Sequence, residues 1–166
     1  MELYIVRHGI AIDREDPKCP ADPERFLTDE GIEKARQVAK GMTKVASLPD
    51  LILSSPYLRA FQTAELFAEE LEYSKHKIRK SELLLPGAEP LQLFRELAKD
   101  KDLSSVFVFG HAPHLDDLVA TSIGTKHHIC SLKKAGVAFV ELKRLVPPNG
   151  ELVWLATPKL LRKAGK

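Results

Sequence analysis

Apolar and polar positions along the 166-residue chain change period several times, dividing it into short elements of two kinds. Leu3-Tyr4-Ile5-Val6 is a continuous apolar run that predicts a buried strand over about Glu2 to Arg7. A polar stretch with Pro17, Pro20 and Pro23 comes next, too often interrupted by proline for regular structure. Thr28 stands as the N-cap of a helix with Ile32, Ala35, Ala39 and Met42 on one stripe. Leu51-Ile52-Leu53 predicts a second buried strand. Ser55 then caps a helix that has Pro56 at its first position and Tyr57, Phe61, Ala64, Ala68 and Leu71 along one face. Gly87 breaks the chain before a helix opened by Pro90, with Leu91, Phe94 and Leu97 inward. Val106-Phe107-Val108-Phe109 has the strongest character of a buried, central strand. Pro113 starts the next helix, with Leu115, Leu118, Val119 and Ile123 inward and Gly124 as its stop. Val137 to Leu142 and Leu152 to Ala156 flank Pro147-Pro148-Asn149-Gly150 as a long-looped hairpin. Alternation of this kind predicts an α/β fold of three layers, a mixed, mostly parallel sheet with helices on both faces. One domain over 1–166 is expected, with about 159–166 as a solvated basic tail.

Composition narrows the classes of function. Hydrophobic residues make up 44% and charged residues 29%, the profile of a globular domain whose core needs no staples at this length. A net charge of +2 gives no global field toward nucleic acid or membrane, and neither is expected as a partner. No apolar run approaches the roughly 20 residues that a spanning helix needs. Cys19 and Cys130 form no C-x-x-C pair and are read as free thiols. Met1-Glu2 leads directly into the first strand, so no secretory leader is expected and a cytoplasmic monomer is the default.

Candidate chemistry gathers at the ends of three predicted strands. Arg7-His8-Gly9 follows the first, Ser54-Ser55-Pro56-Tyr57-Leu58-Arg59 the second, and Phe109-Gly110-His111-Ala112-Pro113 closes the central one. Ligands of open α/β sheets bind outside the carboxyl ends of strands, so the three segments converge on one edge. Helix N-termini there favour anions, and Arg59, in a first turn, leans back toward that edge. A neutral imidazole is a competent nucleophile near neutral pH, and arginine forks hold phosphate oxygens. The set predicts that His8 takes a phosphoryl group, that water then releases phosphate, and that Arg7, Arg59 and His111 hold the oxygens. Gly9 lets the backbone or the substrate come close. Each residue alone has a plainer reading: His8 and His111 as strand-end histidines, Arg7 as an ion-pair partner, Arg59 as a helix-surface cation. Arg25 fits a rim contact or a structural ion pair. His127, His128 and Cys130 read as surface loop rather than a metal site, His114 as helix surface, and Asp116 and Asp117 as first-turn acids.

Arg7-His8-Gly9, Ser55-Pro56 with Arg59, Gln62 and Thr63, and Gly110-His111 resemble the histidine phosphatase superfamily, the phosphoglycerate mutase-like fold. Arg25-Phe26-Leu27-Thr28 with Gly31, and the Leu85-Pro86-Gly87-Ala88 turn, look more like its SixA-like branch of phosphohistidine phosphatases. Phe26 departs from that branch, where proline is expected. The resemblance covers most of the chain. It implies His8 as nucleophile with Arg7, Arg59 and His111, and the adjoining Ala112, as the phosphate pocket. It also implies an enzyme without metal or other cofactor. Larger members use a carboxylate acid between the second arginine and the second histidine. The candidates here are Glu82 and Glu89, which also read as a strand-end residue and a helix cap. The expected activity is dephosphorylation of phosphohistidine on a signalling or phosphotransfer protein. The alternatives are a phosphatase or mutase for a small phosphate ester, and a non-catalytic module that recognises phosphate.

Overall fold

Neighbouring side chains of a strand point to opposite faces, and the central strands here are apolar on both. The computed structural model describes residues 1–166 and has six strands: β1 (Glu2–Arg7), β2 (Leu51–Ser54), β3 (Arg79–Lys80), β4 (Ser105–Gly110), β5 (Val137–Leu145) and β6 (Pro148–Ala156). Its helices are α1 (Asp29–Met42), α2 (Leu58–Glu70), α3 (Pro90–Leu97), α4 (His114–Ser122) and α5 (Pro158–Ala164). Val106 and Val108 of β4 join Leu3, Ile5 and Leu53 in one core, against Phe94 of α3 and Leu115 and Leu118 of α4. Phe107 and Phe109 join Tyr4, Val6 and Ile52 in a second core, against Met42 of α1, Phe67 of α2 and Leu161 of α5. The result is the three-layer α/β arrangement that the pattern predicts. No helix is long and apolar enough to cross a membrane.

The sheet runs β3-β2-β4-β1-β5-β6. The first four in that order are parallel, and β5 and β6 are antiparallel. β1 leads to α1 on one face and β4 to α4 on the other, so the chain diverges where Arg7 pairs with Gly110. That divergence opens the crevice in which a sheet of this kind takes its ligand. On the other side of β4, Ser54 pairs with Phe109, which brings the third motif alongside.

Thr28 caps α1 as expected, accepting the Gly31 N–H at 3.0 Å. Four local expectations are corrected. The helix expected at Pro56 begins at Leu58 with no side-chain cap, because Ser55 Oγ is engaged by the Tyr57 N–H and by His111. In α3, Leu91 is exposed and Leu93 is buried, since Leu93, Phe94 and Leu97 form the i, i+1, i+4 stripe that faces the sheet. The hairpin loop is short, for the ladder continues to Leu145 opposite Pro148, and a strand's first residue on an edge tolerates proline. Finally, the basic C-terminal segment is α5, docked on α1. Leu161 is buried, Arg162 Nε donates to Gln37 Oε1 at 2.7 Å, and Gly41 lies so near that a Cβ would stand 2.0 Å from the Leu161 carbonyl oxygen.

Candidate functional site

The hydrogen-bond ladder continues one residue beyond the strands and sets the three motifs side by side. The His8 N–H donates to the Gly110 carbonyl at 3.1 Å, and the Ser55 N–H to the Phe109 carbonyl at 2.8 Å. The Gly9 N–H donates to Thr63 Oγ1 at 3.0 Å, and that hydroxyl donates to the Arg59 carbonyl at 2.7 Å, tying the first motif to α2. A Cβ on Gly9 would stand 3.3 Å from both the Gly31 carbonyl oxygen and the Leu27 side chain, so its missing side chain admits α1 and the preceding loop.

His8 is 7% exposed. Its Nδ1 lies 2.7 Å from the Gly9 carbonyl oxygen. A carbonyl only accepts, so Nδ1 carries the proton and Nε2 keeps its lone pair, with no protein partner. Burial lowers the His8 pKa to about 3, helped by the charges of Arg59, Arg7 and Lys134 and opposed by the Gly9 hydrogen bond. The imidazole is therefore neutral at ordinary pH. The His111 ring stands 5.2 Å away, with Nε2 2.9 Å from Ser55 Oγ and the Tyr57 ring packed on it at 5.3 Å. Burial, then Arg59 and His8, lower its pKa to about 3 as well.

Arg7 and Arg59 bound the two histidines. Arg7 Nη1 donates to the Leu132 carbonyl at 2.6 Å, while the Leu132 N–H donates to Asp116 Oδ1 at 2.8 Å. Asp116 is a first-turn acid of α4 as expected, but it is buried and braces the Arg7 wall. Arg59 is buried, with its guanidinium carbon 5.2 Å from the Tyr57 ring centre. Burial lowers the pKa of both arginines without taking their charge. The four residues singled out from sequence, Arg7, His8, Arg59 and His111, meet in one place. Ala112 follows His111, half-buried, and its N–H donates to no group of the protein. Six buried side-chain polar atoms lack a partner, and three of them are Arg7 Nε, Arg59 Nε and His111 Nδ1. A buried donor left unmade costs about 1–3 kcal/mol, so their concentration here marks a place built for an acceptor.

Glu82 and Glu89 are exposed and bond none of these four residues. Glu82 opens a single turn in which Leu84 is buried, and Glu89 precedes α3 with its carboxylate 3.4 Å from Gln92 Nε2. The acid bonded to the cluster is Asp22, from the proline-broken stretch. Arg59 Nη1 donates to its carbonyl at 2.7 Å, and Nη2 lies 3.4 Å from its Oδ2. Its Oδ1 accepts from Arg14 at 3.2 Å and Arg25 at 3.1 Å. Burial acts to raise the Asp22 pKa, but the Arg25 hydrogen bond and the charges of Arg59, Arg14 and Arg25 outweigh it and hold the carboxylate ionised. Arg25 also donates through Nε and Nη2 to the Ile12 carbonyl, so it is a structural ion pair. Its spacing of three from Asp22 is the sequence signal available for this cluster. His114 is buried rather than on the helix surface, and neither ring nitrogen has a partner. His127 and His128 are exposed and Cys130 is buried, its thiol pushed up to about 11 by burial and by Asp116.

A family model described as the histidine phosphatase superfamily (branch 1) matches residues 3–84. A protein of Picosynechococcus sp. (strain PCC 7002), described as uncharacterized, is 36% identical over 170 residues, spanning 97% of this chain and 99% of its own. A phosphohistidine phosphatase SixA homolog of Haemophilus influenzae is 30% identical over 138 residues, spanning 78% of this chain and 81% of its own. Among solved structures, the protein histidine phosphatase SixA complexed with tungstate superposes with a TM-score of 0.83 at 25% identity, covering 96% of this chain and 98% of that one.

Proposed function

The chain belongs to the histidine phosphatase superfamily and is a phosphatase, and from that premise we propose that it hydrolyses phosphohistidine carried by a protein. The observation that carries this reading is the His8 ring, neutral and tied through Nδ1 to Gly9, among the unmatched donors of Arg7, Arg59 and His111. In the first step the Nε2 lone pair of His8 attacks phosphorus. The bond from phosphorus to the substrate imidazole breaks, and its electron pair returns to that ring, which has taken a proton from solvent at its other nitrogen and leaves neutral. In the second step a water oxygen attacks phosphorus, the His8–phosphorus bond breaks, and the water's proton passes to solvent. Arg7, Arg59, His111 and the Ala112 N–H hold the oxygens in both steps. A dianionic phosphoryl group raises the His111 pKa from its low free value, because opposite charge favours the protonated ring.

The acid decides between substrates. An alkoxide leaving group needs a delivered proton, worth about a hundredfold or more. Asp22, held ionised by three arginines, has none to give near neutral pH. An imidazole leaving group does not need one. Two comparisons support the reading: one relative is described as a SixA homolog, and the solved SixA structure carries tungstate, a tetrahedral oxyanion like phosphate. The enzyme works without metal, as a monomer in the cytoplasm. The test is one purified sample assayed on a 3-phosphohistidine protein and on a panel of small phosphate esters, followed by trapping of labelled phosphate. An acid-labile, base-stable adduct on His8 and preference for the phosphohistidine protein are expected. An adduct on serine or cysteine, or faster turnover of an ester, overturns the proposal.

A further inference from the structure

Beside Arg7 the surface opens into a basin of about 610 Å³ that the chemistry above leaves unused. Its charged lining is Arg7, Lys34, Lys133, Lys134, Lys159 and Arg162, with no Asp or Glu. The whole chain carries only +2, so this is a local concentration and not a general excess. Beyond Arg7 on β1, three distant segments supply it: α1, the turn before β5, and α5. The middle one is fastened to the backbone of the proposed nucleophile. The Ala135 N–H is shared between the Arg7 and His8 carbonyls at 3.0 Å each, and the Arg7 N–H donates to the Gly136 carbonyl at 3.1 Å. Ala135 is held at φ 59°, a conformation that a side chain disfavours and that persists only where its surroundings impose it. The turn thereby sets Lys133 and Lys134 at the basin's edge, and the Lys134 charge is felt at the His8 ring. Lys133, Lys134 and Lys159 are exposed and form no ion pair, whereas Lys34 is engaged by Glu30 and Arg162 by Gln37.

We propose that this basin docks acidic side chains flanking the phosphohistidine, so that the substrate is a protein segment rich in Asp and Glu. A small bisphosphate needs converging forks or backbone N–H groups. Here both arginines already hold carbonyl or amide oxygens, and the free cations are flexible lysines spread over an open floor. That arrangement suits several separated carboxylates, and it steers and orients a partner more than it grips a point charge.

The inference rests on the phosphohistidine reading, and the experiment separates the two. Two peptides carry one 3-phosphohistidine each, one set among Asp and Glu, the other among Ser and Asn; free phosphohistidine is the third substrate. Wild type and the double variant Lys133→Glu/Lys159→Glu are compared at low and physiological ionic strength. At low salt, kcat/KM for the acidic peptide is expected to exceed that for the neutral one by on the order of tenfold. Added salt narrows the gap, and the double variant abolishes it while turning over free phosphohistidine like wild type. Fluorescence anisotropy of the unphosphorylated peptides gives a readout independent of hydrolysis: the acidic one binds wild type and not the variant. If no phosphohistidine probe is hydrolysed but this binding is present, the substrate reading fails and the docking assignment stands. Equal treatment of both peptides by wild type, or an acidic preference that survives the double variant, overturns the docking assignment.

Discussion

Arg7 and Arg59 flank the same imidazole from walls of opposite character. Arg59 meets an acid: Asp22 takes two of its guanidinium nitrogens and is itself gripped by Arg14 and Arg25. Arg7 bonds no carboxylate. It is oriented by a carbonyl, with Asp116 one peptide further back, and its outer side opens on unpaired lysines. Two residues with one expected role thus start from different electrostatic states. At Arg7 an incoming oxyanion meets a charge offset only at a distance by Asp116, whereas at Arg59 it must share or displace Asp22. One wall attracts and the other exchanges.

Substitutions at the two walls and between them should differ widely in effect. His8→Ala removes the group that both walls serve, and turnover is expected to fall by about 10⁴-fold or more while circular dichroism stays native. Arg7→Ala and Arg59→Ala should each cost about 10²–10³-fold in kcat/KM. If either left the rate near wild type, its wall would have no part in the reaction. Asp22→Asn sharpens the contrast. With the competing charge gone, tungstate or inorganic phosphate should inhibit about three- to tenfold more tightly, read as a Ki. A weaker Ki would mean that Asp22 helps to hold the ligand and that the walls do not differ as described. A pH effect on stability is smaller. Both His8 and His111 have pKa values of about 3 in the fold against an ordinary 6.5. Below about pH 6.5 the unfolded chain therefore binds protons that the native state refuses, and stability falls progressively toward pH 3. Urea midpoints should show this slope, and a His8→Ala/His111→Ala variant should flatten it. The smallest effect is that of chelator: activity after dialysis against EDTA is expected to be unchanged.

Much of the fold and site is legible in the chain because strand ends are easy to place. Continuous apolar runs such as Val106 to Phe109 mark buried strands, and residues just past a strand's carboxyl end lie at the ligand edge. Arg7, His8, Arg59 and His111 are readable for that reason. Asp22 is not, since a proline-broken loop has no period from which to infer where its side chains go, and its partner Arg59 is 37 residues away. Asp116 and His114 escape the sequence because first-turn positions of a helix are exposed by default. Here both are buried, and the segment running from Cys130 into β5 covers Asp116, with the Leu132 nitrogen 2.8 Å from its Oδ1. The Lys133–Lys134 contribution is hidden by distance in sequence, as it joins α1 and α5 only through the turn at Ala135. The C-terminal helix reads as a tail because its charges mask the one apolar anchor, Leu161.

The contact between His8 Nδ1 and the Gly9 carbonyl has a regiochemical consequence. With that nitrogen protonated and turned into the backbone, only the tele position can accept phosphorus. The trapped enzyme should therefore carry the tele isomer alone, and phosphorus NMR or an isomer-selective antibody would tell it from the pros form.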